Sequence, residues 1–197
     1  HLLTHTSGLR PGIPGAPAWK GYQHAIHLAC QEKPTHPSGT IFRYSDINFI
    51  LLGEIIHRVS GQTLGQYAAE HLFAPLKMGD TGFLPPESKL PRIAPTTRIA
   101  DRSVLRGTVH DPTSRAMGGV AGHAGLFADA RSVAALAREW LTPERVLNDA
   151  LVARALAGRF YRVRGFVCSG AQRGVACDAA ALRRALCGCR PHPAAQS

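Results

Sequence analysis

Phe42–Leu72 reads FRYSDINFILLGEIIHRVSGQTLGQYAAEHL. Ile47, Ile50, Leu51, Ile55 and Val59 recur at helical spacing, so the segment from Ser45 or Asp46 to Ser60 is expected to be one helix with a single apolar stripe. An Asx or Ser residue can cap its start, and Gly61 can end it in a left-handed turn. Thr63 and Gln66 then form a T-x-x-Q capping box for a second helix. Leu64, Tyr67, Ala68 and Leu72 would line its face, and Pro75 would close it. The run TIFRYSD before the first helix reads as a short extended approach.

Upstream, RPGIPGAPAWKG (Arg10–Gly21) is a glycine- and proline-rich loop. YQHAIHLACQ follows as a helix carrying Ile26, Ala29 and Cys30 on one side. Downstream, from Leu76 to Pro112, prolines at 85, 86, 91, 95 and 112 predict irregular chain that wraps a surface or frames a site. MGGVAGHAGLF (Met117–Phe127) is dense in glycine, and Asp129 can cap a helix bearing Val133, Leu136, Ala137, Trp140 and Leu141. LTPERVLNDALVARALAG is expected to be helical as well.

The 197 residues suffice for one domain with a core or for a large piece of a bigger one, and 45% hydrophobic content excludes a disordered chain. No apolar run is long enough to span a membrane. The net charge of +10 is concentrated at one end: beyond Leu151 there are eight arginines against Asp178 alone. Four of the five cysteines, Cys168, Cys177, Cys187 and Cys189, lie there too, with no C-x-x-C spacing and only His192 as a further metal ligand nearby. No metal site and no cofactor is expected. Residues 159–197 shift together in composition, charge and cysteine usage, and they read as a frame error in GC-rich DNA rather than native fold. Residues 1–158 are then the part that folds.

For chemistry, Ser7 in HTSGL is not a nucleophile elbow, because His5 and Leu9 occupy the places where G-x-S-x-G needs glycine. It reads as scaffold: Leu2, Leu3 and Leu9 pack while Thr4, His5, Thr6 and Ser7 tie off a helix end and turn. A lysine one helical turn after a serine could act as its proton acceptor, yet none of the chain's serines is followed by lysine at that spacing. Tyr44 falls just before a helix start, where the helix dipole would favour its phenolate and let it relay protons. Packing with a satisfied hydroxyl is the other reading of Tyr44. His123 either allows a substrate close approach among small neighbours or fills a hydrogen-bonding slot in a glycine turn. His110 and Asp111 are adjacent and could pair, although neighbours in sequence more often point apart.

Taken together, three stretches resemble one family, the serine beta-lactamase and penicillin-binding-protein-like hydrolases, with class C-type enzymes, esterases and D-alanyl-D-alanine peptidases. HLLTHTSGL resembles the segment shortly after the family's nucleophile helix. Phe42–Pro85 resembles its second catalytic box and the two helices after it, including a PLGM-x-x-T turn, here Pro75, Leu76, Lys77, Met78 and Thr81. VHDPTSRAMGGVAGHAGLFADARSVAALA resembles the stretch leading into the next helix. The likeness runs from His1 to about Trp140 and implies an α+β fold of beta-lactamase/transpeptidase type. It would comprise mainly the helical subdomain with part of the antiparallel-sheet domain, cut short at both ends.

The resemblance further implies that Tyr44 is the catalytic tyrosine of a Y-x-N/D box and that Asp46 is its third residue, contacting substrate and neighbouring side chains. Ser45 between them would have no chemical role. The family's S-x-x-K and K-T-G or H-T-G boxes are absent from this sequence. HAG at 123–125 comes too early to stand for the latter. The expected function is therefore that of a fragment of a serine hydrolase acting through an acyl-enzyme on beta-lactam, ester or D-Ala-peptide substrates, itself inactive. Its partner in the intact relative would be a small acyl substrate, without specific nucleic acid and without cofactor. Such proteins are often periplasmic or secreted, and the first residues show no signal-peptide order, so the compartment is left open. One rival is a basic module binding nucleic acid or anions through the arginine-rich tail; another is a noncatalytic penicillin-recognising domain.

Overall fold

A computed structural model of the chain describes residues 1–14, 18–98 and 103–154. The arginine- and cysteine-rich stretch at 159–197 lies outside them, as do the last residues of the helix expected through Gly158. The described part is α+β. Its helices are α1 (Tyr22–Gln31), α2 (Asp46–Ser60), α3 (Leu64–Ala68), α4 (Pro112–Ala116), α5 (Ala130–Leu141) and α6 (Asp149–Arg154). Two short antiparallel pairs join them. β1 (Gly82–Phe83) pairs with β4 (Leu126–Phe127), Gly82 opposite Phe127; β2 (Thr97–Arg98) pairs with β3 (Val104–Leu105), Thr97 opposite Leu105. No described helix is long and apolar enough to cross a membrane.

α2 begins at Asp46 and ends where Gly61 adopts φ 72°, as its sequence requires. Its buried arc is rotated from the expected stripe. Ile47, Ile50, Gly53 and Glu54 are covered, while Ile55 is exposed and Val59 is 84% exposed. Gly53 and Glu54 explain the rotation. Without a side chain at 53, the backbone of Gly122 comes against the helix, and Glu54 accepts hydrogen bonds from the Tyr22 hydroxyl (2.7 Å) and Arg58 Nε (2.7 Å). Burial raises the Glu54 carboxyl, but these two donors outweigh it and leave it below the usual range. The same contact, together with burial, raises the Tyr22 phenol. The triad pins α1 to α2 beside a core of Leu9, Ile13, Trp19, Ala25, Ile26, Ala29, Ile47, Ile50, Met117 and Ala121. Cys30, expected on the buried side of α1, is exposed.

The capping box at Thr63 forms as expected. Its hydroxyl accepts from Gln66 N–H, and the Gln66 side chain accepts from Thr63 N–H. The helix then widens into one π turn over Ala69–Phe73. After Pro75, Lys77 sits at φ 56°, with Met78 N–H donating to Phe73 carbonyl at 2.8 Å. The related turn carries glycine at this place, which is the residue that conformation favours.

Phe73, Leu76 and Met78 form a second core, against which Ala135, Leu136 and Val146 pack. In α5 Asp129 caps as expected, accepting from Ser132 N–H at 2.6 Å. The covered residues, however, are Ser132 and Glu139, with Val133 and Trp140 exposed. Glu139 turns inward because its Oε1 accepts from the backbone N–H groups of Glu144, Arg145, Val146 and Leu147. Those donors, Val146 and Leu147 foremost, pull its carboxyl to about 2. Of the helix expected over Leu141–Gly158, residues 142–148 stay outside helical structure because four of their N–H groups go to Glu139, and α6 begins only at Asp149.

Candidate active site

The N-terminus of α2 is tied to the first residues of the chain. Ser45, the N-cap, makes no side-chain cap; its hydroxyl instead donates to Arg10 carbonyl at 2.6 Å. Its N–H donates to His5 Nδ1 at 3.1 Å, and Asp46 N–H donates to Pro11 carbonyl at 2.7 Å. Because His5 Nδ1 accepts a backbone N–H, that nitrogen carries no proton. Burial lowers the His5 imidazole against the opposing pull of Asp46, which agrees with the neutral ring. Asn48, fully buried, places its amide 3.2 Å from the same Nδ1 and accepts the Ser7 hydroxyl at 2.6 Å. Ser7 also accepts Leu9 N–H at 3.1 Å. Ser7 is thus buried scaffold, as its sequence context predicts. Leu9 packs in the core as expected, whereas Leu3 is exposed.

His5 in turn backs Tyr44. The two rings lie 4.6 Å apart at 35°, and Phe49 stacks on His5 from 5.1 Å. Tyr44 remains 61% exposed, with the Asp46 carboxylate close enough to act on its phenol. The helix start does not favour the phenolate here. Partial burial, and after it the carboxylates of Asp46 and Asp111, raise the phenol above its ordinary value.

Asp111 and His123 complete the cluster. As expected of residues adjacent in sequence, His110 and Asp111 do not pair; Asp111 Oδ1 meets His123 Nε2 at 2.9 Å and caps α4 by accepting Ser114 N–H at 2.6 Å. The His110 carbonyl instead accepts Arg115. Ser114 Oγ donates to Ala124 carbonyl at 3.0 Å, so the residue after His123 is held as well. The glycines make this approach possible. A Cβ at Gly122 would collide with Phe49 carbonyl in α2, and one at Gly125 (φ 118°) with Gly119 carbonyl. Donor atoms of Asp46, Asp111 and His123 all lie within 4.8 Å of one another. Tyr44 and Asp46 are thus brought together, and Asp111 and His123 join them from 65 and 77 residues further on. An open cleft between β1, β4 and Pro85–Thr96 includes none of these four residues.

The sequence matches the profile of the Beta-lactamase family over residues 1–166. The chain belongs to the beta-lactamase family. It is 32% identical over 165 residues to an Escherichia coli K12 protein carrying the provisional name D-alanyl-D-alanine carboxypeptidase, covering 71% of this chain and 37% of that one. It is 31% identical over 140 residues to the N-acetylmuramyl-L-alanine amidase of Bacillus subtilis 168, covering 64% of this chain and 32% of that one. A beta-lactamase/D-alanine carboxypeptidase structure from Pseudomonas syringae superposes with a TM-score of 0.61 at 18% identity, over 78% of this chain and 40% of that one. The fold is therefore part of the beta-lactamase/transpeptidase-like arrangement of helices and antiparallel strands. The chain spans about a third of the length of the curated relatives it matches. The family is one of serine hydrolases.

Proposed function

We propose that this chain supplies the tyrosine side of an acyl-transfer site in a serine hydrolase acting on D-alanyl peptide, beta-lactam or ester acyl groups. The observation that carries this reading is Tyr44 itself. It is a solvent-facing phenol at the mouth of α2, backed by a half-buried neutral histidine and beside the Asp46 carboxylate. In the whole protein a serine hydroxyl would attack the acyl carbon and lose its proton to a lysine base. Tyr44 would pass a proton to the departing amine or alkoxide, and water would later cleave the resulting ester. Asp46 would contact substrate and hold the phenol. The relatives named for D-alanyl-D-alanine carboxypeptidase and muramyl-alanine amidase activity favour amide substrates ending in D- or L-alanine chemistry. Residues 1–158 would fold as this partial domain, with 159–197 outside it.

Residues 1–197 contain no serine–lysine turn, so the chain by itself is expected to resist labelling by a fluorescent penicillin or an acyl phosphonate. A version extended upstream through such a turn should be labelled once per molecule. Tyr44→Phe should slow that labelling by roughly 10²–10⁴-fold while leaving the fold unchanged. Labelling of residues 1–197, or an unaffected Tyr44→Phe rate, would refute the assignment.

A further inference from the structure

The trio of Asp46, Asp111 and His123 has a second chemistry, independent of acyl transfer. We propose that Asp46, Asp111 and His123 form a binding site for a divalent transition-metal ion, zinc above all. Two carboxylates and an imidazole converge with donor atoms within 4.8 Å of one another. Ligands held at about 2.0–2.2 Å by one tetrahedral ion stand about 3.4 Å apart, so side-chain rotations must draw the wider pairs together to close the shell. The mixed N/O set favours zinc, manganese or iron over calcium or magnesium, which take oxygen alone.

Three features make this more than a meeting of acids. First, the His123 side chain is only 3% exposed, yet its Nδ1 finds no hydrogen-bond partner. A buried imidazole engaged on one nitrogen alone leaves an unpaired polar atom, of the kind that a water, an ion or a functional role accounts for. Second, the chain that carries Asp111 and His123 is held in place before any ion arrives. Ser114 N–H holds Asp111, Ser114 Oγ holds the Ala124 carbonyl next to His123, and Gly122 presses the loop onto α2. Third, Asp46 and Asp111 bring two negative charges together with no lysine or arginine bridging them among the described ion pairs. A cation relieves that repulsion. The Asp46 carboxylate also acts on the Tyr44 phenol. An ion would draw the Asp46 carboxylate away from the phenol, so zinc and Tyr44 compete for the same group.

The test uses the full 197-residue chain, stripped with a chelator and with its cysteines alkylated so that the thiols of the tail cannot answer for the site. Zinc chloride is titrated calorimetrically and cobalt(II) spectroscopically, against magnesium as the control. One saturable zinc site is expected, with a cobalt spectrum lacking thiolate charge transfer and no magnesium binding. Asp46→Asn and His123→Gln should each weaken zinc by at least the roughly 10–100-fold that loss of a supporting partner costs. Asp111→Asn, which can still cap α4, should do the same. Melting curves of the metal-free variants check that each is folded, and they should match the parent. Absence of a saturable site, or undiminished zinc binding by the folded variants, as binding to surface histidines alone would give, would overturn the proposal.

Discussion

Gly122→Ala tests whether the glycine loop's contact with α2 is what places His123. Gly122 does not need its glycine for a left-handed backbone, since its φ lies outside that region. The perturbation is therefore one of space. An added Cβ would stand 2.8 Å from the Phe49 carbonyl carbon and 3.3 Å from Gly53 N, and nearer still to the Phe49 oxygen. Relaxed contacts between such atoms lie at about 3.5–4.0 Å. All three obstacles are backbone in the middle of α2, so none can rotate aside and the loop must lift. Overpacking of this kind costs about 1–3 kcal/mol, and immovable neighbours put this case at the upper end. The smaller unfolded-state freedom of alanine returns about 0.4–1 kcal/mol, leaving a net loss of about 2 kcal/mol. For a chain of this size that is a fall in melting temperature of roughly 4–8 °C. Urea denaturation followed by circular dichroism reads it as a lower midpoint with an unchanged slope. Gly79→Ala is the control, because nothing lies within 4 Å of a Cβ there. It should stay within about 0.5 kcal/mol of the parent. Equal stability of the two variants would refute the argument that close backbone approach fixes the loop.

Ser7→Ala should cost about 1–2 kcal/mol and Asn48→Ala about 3 kcal/mol, since each strands a buried polar partner. In a double-mutant cycle they should couple by about 1 kcal/mol or more, and simple additivity would show that the buried bond carries little weight. Lys77→Gly should raise the melting point by the equivalent of about 0.5–1 kcal/mol, because Lys77 occupies a left-handed backbone conformation on the surface; a lower melting point would count against strain at this turn. Glu139 has its carboxyl depressed from 4.5 to about 2 by the N–H groups at 144–147. Its contribution is therefore complete above pH 4.5 and is lost as the pH falls toward 2. The amide proton shifts of Val146 and Leu147 should follow that transition and lose it in Glu139→Gln; a midpoint near 4.5 in the parent would mean that the carboxylate is not held there.

Helix ends and turns were legible because their signals are local. Gly61, the Thr63–Gln66 box and the Asp129 cap each need only the next few residues to act, and all three form. Tyr44 could be singled out because it precedes a helix start, and Asp46 through the resemblance to the family's Y-x-N/D box. Which face of a helix is buried could not be read in the same way. Ile55, Val59, Val133 and Trp140 have the periodicity of core residues but lie exposed, whereas Glu54 and Glu139 turn inward to donors supplied by Tyr22, Arg58 and the chain at 144–147. A charge is buried only if its partners arrive with it, and nothing near Glu54 in sequence announces Tyr22.

The amino-acid order by itself thus determined the end of α2, the starts of α3 and α5 and a phenol at the mouth of α2, since each rests on contacts within a few residues, and its motifs pointed to the family. The pairing of Asp111 with His123 rather than His110, and their arrival beside Asp46, was decided only by the tertiary structure. Gly53 and Gly122 let two distant backbones touch, and that approach sets which side chains meet.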